Sequence, residues 1–202
     1  MKKIFPLLVL ALMALVSCSE NEDSVEEYVD WQAKNDAYFQ QKYNLAKSSV
    51  DGRWLRLPVY TKAKPSKSTD YIVVQVLESG TDTVSPIYTD SVRVSYRGHL
   101  IKSATVTDAT DTELGLTFDQ TYTGRFGWQT ARPTAFYCGA LVDGFSTALM
   151  YMHRGDRWRV YIPYQQGYGA TVTGKVPAYS TLVFDLALYD FVPAGKKFLP
   201  LP

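Results

Sequence analysis

The residues of this chain that could do chemistry are aromatic rather than nucleophilic. Tyr96 stands in Val92-Arg93-Val94-Ser95-Tyr96-Arg97-Gly98, and Phe118 adjoins Asp119 in Thr117-Phe118-Asp119-Gln120-Thr121. Tyr168 lies between glycines in Gly167-Tyr168-Gly169-Ala170, and Phe184 precedes Asp185 in Thr181-Leu182-Val183-Phe184-Asp185. A tyrosine between two glycines belongs to a loop, where facing a ligand is a more natural role than packing a core. Asp119 beside Phe118 is either a site acid or a turn residue. Tyr96 and Phe184 would be buried in any sheet, so neither points to a site by itself. Aromatic residues at 14%, with 15 tyrosines, favour strands and apolar pockets.

Other chemistries find no support in the spacing. Gly-x-Ser-x-Gly does not occur. Gly124-Arg125-Phe126-Gly127 follows neither the Walker nor the dinucleotide pattern. His99 and His153 lie in different segments, with no Cys or acid at ligand spacing, so no metal site is expected. Cys18 and Cys138 are the only cysteines, and Cys18 has another use argued below. Cys138 then has no internal partner. Its setting, Phe136-Tyr137-Cys138-Gly139, is strand-like and predicts a buried, inert thiol.

Ser24-Val25-Glu26-Glu27 has capping-box spacing and predicts a helix from about 24 to 47, uninterrupted by Gly or Pro. Val25, Tyr28, Trp31, Tyr38 and Phe39 give it one apolar stripe, which packs on its own domain or serves as a dimerisation arm. Residues 48–69 read as a loop, with Trp54, Leu55, Leu57 and Val59 docking on the domain. Strands are expected at Tyr71 to Leu77, Ser91 to Tyr96, Arg132 to Tyr137, Trp158 to Ile162 and Thr181 to Tyr189. Residues 102–117 are polar and read as a long loop. Asp143 to Met152 predicts a short helix with Phe145, Leu149 and Met152 on one face and Gly155 past its end. His153 near that end suits the helix dipole. The sum is an α+β fold, a twisted antiparallel sheet wrapped around a short α-helix with an N-terminal helical extension.

In their order, these segments resemble the FK506-binding (FKBP-type) peptidyl-prolyl cis-trans isomerases, over roughly Tyr71 to Val192. The resemblance implies an isomerase that needs no cofactor, metal or nucleophile and binds proline-containing peptide segments of client proteins. Tyr96 matches the first pocket tyrosine. Phe118 would supply wall, and Asp119 a buried acceptor near the substrate carbonyl. Leu141 and Val142 match the apolar pair before the pocket helix, with the Val142 N–H holding a substrate carbonyl. Phe145 matches the floor position, usually tryptophan. Tyr168 matches the tyrosine whose hydroxyl hydrogen-bonds substrate, and Phe184 the wall phenylalanine of Leu-Val-Phe-Asp. Thr134 stands where the family often carries a second aromatic, and Phe136 or Phe126 is expected to compensate. The loops before Phe118 and after Asp119 are longer than in the family and are expected to rim the pocket. The helical arm has counterparts in larger bacterial members that dimerise through it.

The chain begins with Lys2 and Lys3, then an apolar run from Ile4 to Val16 that is too short to span a membrane and fits a signal peptide. Leu15-Val16-Ser17-Cys18 looks like a bacterial lipobox, in which Cys18 is lipidated and becomes the first mature residue. Ser19 and the acidic Glu20-Asn21-Glu22-Asp23 resemble outer-membrane sorting and surface-export signals, or a solvated tether. Loss of Lys2 and Lys3 takes Lys and Arg from 21 to 19 against 20 Asp and Glu, a net charge of −1. That argues against a nucleic-acid partner. The expected organisation is signal peptide 1–17, tether 18–23, helix and linker 24–69, isomerase domain 70–193 and tail 194–202. The functional expectation is isomerisation of proteins outside the cytoplasm, from an outer-membrane anchor. A non-catalytic FKBP-like chaperone is the first alternative, favoured by Thr134 and Phe145. A glycan- or nutrient-binding surface lipoprotein is the second.

Overall fold

The structure, a computed structural model, describes residues 26–200. The signal segment, Cys18, the tether and Ser24 lie outside the described residues. Seven strands form one antiparallel sheet: β1 Trp54–Pro58, β2 Tyr71–Glu78, β3 Ser91–Ile101, β4 Leu114–Gln120, β5 Thr134–Tyr137, β6 Arg157–Ile162 and β7 Leu182–Val192. Helix α1 runs Trp31–Ser48, and α2 Asp143–Tyr151. The strand order is β1-β2-β6-β7-β3-β4, with β5 also on β3. β3 is the organising strand. β7 pairs along nearly its whole length, while on the other side β5 takes Ser91 to Val94 and β4 takes Arg97 to Ile101. Tyr96 falls where β5 and β4 part.

Both faces of the sheet are covered, which explains why Ile72-Val73-Val74 is a continuous apolar run rather than an alternating one. Ile72, Val74, Val160, Leu186 and Leu188 turn to one side with Phe145, Ala148, Leu149 and Met152 of α2. Val73, Tyr161 and Val183 turn to the other, with Phe39 and Ala46 of α1. The fold is the expected α+β arrangement of an antiparallel sheet on a short helix, with α1 added on the outer face. Of the apolar residues that suggested a dimerisation arm, Tyr28, Trp31, Tyr38 and Phe39 pack on the core of the same chain, and Val25 lies outside the described residues.

Four local expectations are corrected. Residues 114–117, read as part of a long loop, open strand β4. Helix α1 starts at Trp31, not near 24, because Asp30 adopts a left-handed conformation, φ 53°. The capping box expected at Ser24 falls outside the described residues; the Glu27 carboxylate accepts the hydroxyls of Ser103 and Thr105. Residues 54–58, taken as loop, form an edge strand in register with β2 from Trp54↔Gln75 to Pro58↔Tyr71. Pro58 is tolerated there because it ends a strand at the sheet edge. The loop after β3 does not rim the pocket. It is stitched to α1 and the outer face, through Ala104 N–H to the Glu27 carbonyl at 3.2 Å, Lys42 to Glu113 at 2.5 Å and Arg159 to Asp111 at 2.6 Å.

Candidate active site

The site forms on the α2 side of the sheet, where β3, β4, β5, β7 and the loop after β6 each present one ring. Phe184 of β7 lies at its centre. Its ring meets Phe145 at 4.9 Å, Phe118 at 5.5 Å and Tyr96 at 6.0 Å between centroids, each near edge-to-face. Tyr96 in turn meets Phe136 at 5.9 Å and Phe145 at 6.0 Å. Such crossings are the favoured arrangement of aromatic quadrupoles and hold the rings at fixed angles. The cavity they enclose is about 280 Å³ and is lined by Tyr96, Phe118, Asp119, Phe136, Ala140, Leu141, Val142, Phe145, Tyr168 and Phe184.

Each wall has a local cause. Gly98 faces Phe184 across one strand pair and Asp119 across the other. A Cβ there would stand 2.6 Å from the Phe118 ring and 2.7 Å from that of Phe184, so only glycine lets these rings close over the strand. Leu141 and Val142 follow the turn at Cys138–Ala140, which is tied to α2 by the Ser146 hydroxyl donating to the Cys138 carbonyl at 2.7 Å. The Cys138 thiol is fully buried and pushed up to about 11 by that burial, as expected of an inert cysteine. Tyr168 rises from its loop between Gly167 and Gly169, the latter at φ 64°, a left-handed turn that favours glycine.

Polar groups are few and placed at one side. The Tyr96 hydroxyl donates to Asp119 Oδ2 at 2.6 Å, while Asp119 Oδ1 accepts the Gln120 N–H at 2.9 Å. Burial first, then the bond to Asp119, pushes the Tyr96 phenol well above its ordinary value. Burial and the Asp119 charge push Tyr168 the same way. Both phenols therefore stay protonated donors at neutral pH. Among the described residues the Val142 N–H meets no acceptor, which leaves it free for a ligand carbonyl. Also among the described residues, no group of three or more His, Cys, Asp and Glu could hold a metal ion.

The structure thus brings Tyr96, Phe118, Asp119, Tyr168, Phe184, Phe136, Leu141, Val142 and Phe145 to one cavity, although they span 89 residues of sequence from first to last. Asp119 is exposed at the rim, not buried as expected, because β4 ends there. Phe136 lines the cavity and packs on Tyr96, as expected of the compensating aromatic. Phe126 does not contribute; it packs on Tyr122, Trp128 and the Arg157 guanidinium. The segment after Asp119 also stays off the pocket wall. Two residues were missed by sequence reasoning. Gly98 was visible as the glycine of Tyr96-Arg97-Gly98, and Ala140 only as the neighbour of Leu141.

An antiparallel sheet on a short helix, with a mostly apolar aromatic cavity between them, defines the class. The family model for "FKBP-type peptidyl-prolyl cis-trans isomerase" matches residues 83–189, and the chain belongs to this family. A macrophage infectivity potentiator of Trypanosoma cruzi is 32% identical over 126 residues, 62% of this chain and 55% of that protein. The FKBP-type isomerase FkpA of Escherichia coli K12 is 26% identical over 181 residues, 90% of this chain and 60% of that protein. Its crystal structure superposes with a TM-score of 0.55 at 25% identity, over 83% of this chain and 63% of that chain. Outer membrane protein MIP of Legionella longbeachae is 26% identical over 172 residues, 82% of this chain and 63% of that protein. The chain therefore spans somewhat over half the length of these relatives.

Proposed function

We propose that this chain is a working peptidyl-prolyl cis-trans isomerase that turns X-Pro bonds in proteins outside the cytoplasm. The convergence of Tyr96, Phe118, Phe136, Phe145 and Phe184 on one apolar cavity, with Tyr168 and Asp119 at its edge, carries this reading. The barrier to amide rotation is about 18–20 kcal/mol and is set by resonance. The planar amide is strongly polar; the twisted one has lost conjugation and much of its charge separation. A dry aromatic wall therefore disfavours the planar amide relative to the twisted one, and only such differential binding speeds the reaction. A millionfold gain requires about 8 kcal/mol. Donors at the edge, Val142 N–H and the Tyr168 hydroxyl, would hold carbonyls on one side while the other side turns. No proton moves and no bond breaks.

The test is isomerisation of a proline-containing peptide. Phe118→Ala is expected to lower kcat/KM at least tenfold while moving the melting temperature little, because Phe118 is only half-buried. Tyr168→Phe should keep the wall and lose one hydrogen bond, about 0.5–1.5 kcal/mol. Asp119→Ala should fall between them. Activity should be flat with pH near neutrality. A bell-shaped profile following one carboxylate would indicate acid–base chemistry and end this reading.

The location rests on the leader and on the relative named as an outer membrane protein. In this reading Cys18 is lipidated and holds the chain at the outer membrane, on its periplasmic face or at the cell surface. Several acyl chains make a stable anchor where one is marginal. Cys18→Ser should move the protein to the soluble fraction; persistence in membranes after a high-salt wash would refute the anchor. Glycan binding has one observation in its favour. Tyr60, Tyr88 and Tyr137 form an exposed trio, with centroids 5.3 and 6.4 Å apart. A glycan array separates that reading from isomerisation.

A further inference from the structure

The loop that carries Tyr168 leaves β6 at Pro163 and enters β7 at Leu182, and α1 grips it near both ends. On the incoming side the Gln32 amide donates to the Tyr164 hydroxyl at 3.2 Å. On the outgoing side the Trp31 indole N–H donates to Ser180 Oγ at 2.8 Å, and the Ser180 hydroxyl donates to the Pro177 carbonyl at 2.7 Å. One helical turn on, Asn35 Oδ1 accepts the Thr181 N–H at 2.7 Å while its Nδ2 donates to the Trp31 carbonyl at 2.7 Å. Asn35 is fully buried, and Ser180 and Thr181 nearly so. Asparagine is a poor helix-interior residue, and burying its amide is costly unless both ends are paired. Here both ends are paired, and one partner is the loop.

From these anchors short bonds lead to Tyr168. The N–H groups of Gly167 and Gly169 both donate to the Tyr164 carbonyl at 2.9 Å, and the Tyr179 N–H donates to the Gly169 carbonyl at 2.8 Å. Tyr164 and Tyr179 meet edge-to-face at 5.3 Å. Tyr179 is held at φ 63°, a left-handed backbone that a residue with a side chain keeps only where its surroundings fix it.

We propose that α1 is a clamp that sets the position of the Tyr168 hydroxyl over the pocket, with Trp31 and Asn35 as positioning residues. This rests on the reading of Tyr168 as a substrate-binding hydroxyl. It assigns part of the site's precision to a helix upstream of the stretch matched to the family, residues 83–189.

A double-mutant cycle in the full chain tests it. Trp31→Phe keeps the ring and removes the N–H; Asn35→Ala removes the amide. Well below each melting temperature, each should lower kcat/KM about two- to tenfold, the range for one lost hydrogen bond. In a Tyr168→Phe background the same changes should cost less than twofold. Effects that multiply in full, or an unchanged kcat/KM in the single variants, overturn the clamp. Amide exchange gives a readout independent of catalysis. Both variants should speed exchange at Gly169 and Tyr179 and leave β2 unchanged. Unchanged rates at Gly169 and Tyr179 overturn the clamp even if the wild-type protein proves inactive, an outcome that would sink the isomerase reading alone. Trp31→Phe carries both measurements if Asn35→Ala does not fold.

Discussion

At the scale of single residues, the pocket depends on a side chain that is not there. Gly98 leaves the space in which the Phe118 and Phe184 rings meet edge-to-face at 5.5 Å. A methyl group at that point would push one ring off its rotamer or open β3 from its neighbours, and overpacking of this kind costs about 1–3 kcal/mol. Gly98→Ala is therefore expected to reduce kcat/KM and stability together. Phe118→Ala, by contrast, should reduce mainly the rate. Chemical denaturation alongside the peptide assay separates the two patterns; a Gly98→Ala variant with wild-type values for both would show that the rings are not locked. The ring residues were legible because each stands in a short motif. The role of Gly98 was not, because it depends on which residues two other strands bring beside it. The exposure of Asp119 was equally illegible, since nothing in Thr117-Phe118-Asp119 says where β4 stops.

At the scale of elements, α1 shows why a hydrophobic pattern can mislead. Its buried residues are Trp31, Asn35, Phe39, Lys42 and Ala46, at intervals of three and four. Two are polar, so the stripe read from Val25, Tyr28, Trp31, Tyr38 and Phe39 caught only Trp31 and Phe39 of the buried set. Asn35 is buried because it binds Thr181. Lys42 is buried because its ammonium lies over the rings of Tyr38 and Tyr161, at 5.0 and 5.5 Å, and pairs with Glu113. Such contacts stabilise a cation whose charge is partly desolvated. β1 was missed for a related reason: five residues ending in proline carry little periodicity, and pairing with β2 decides the conformation. Phe39, 2% exposed between α1 and the outer face, tests how firmly the helix is held. Phe39→Ala should destabilise by about 3–5 kcal/mol in denaturant titrations, the usual range for a buried phenylalanine. A loss under 1 kcal/mol would show that α1 contributes little to the folded state.

At the scale of the whole molecule, the sheet separates two environments. The α2 side is apolar and holds the pocket. The outer side carries a buried polar layer beneath α1 and the loop between β3 and β4. There Arg159 bonds Asp185 at 2.6 and 3.2 Å and Asp111 at 2.6 Å. His99 lies in the same layer, 3.2 Å from the Thr117 hydroxyl and 4.0 Å from Asp108. Burial lowers the His99 pKa below its ordinary value; the charges of Asp185 and Asp108 oppose this, while Arg159 and Arg97 add to it. The folded state therefore binds the His99 proton less readily than the unfolded chain does. The stability it contributes is fully present above the unfolded value of about 6.5 and is lost as pH falls through the lowered folded value. Asp108, Glu78 and Asp82, whose carboxyls are also held below their ordinary values, act in a lower window, below about pH 4.5. The two windows can be told apart. Urea unfolding of the wild-type protein should show stability falling as pH drops below about 6.5, before the carboxylates titrate. In His99→Gln that fall should vanish while the loss below pH 4.5 remains. A variant that keeps the wild-type slope below about pH 6.5 would place the acid-sensitive group elsewhere. Because the pocket lies on the opposite face and its phenols stay protonated, kcat/KM should stay level over that interval while stability falls.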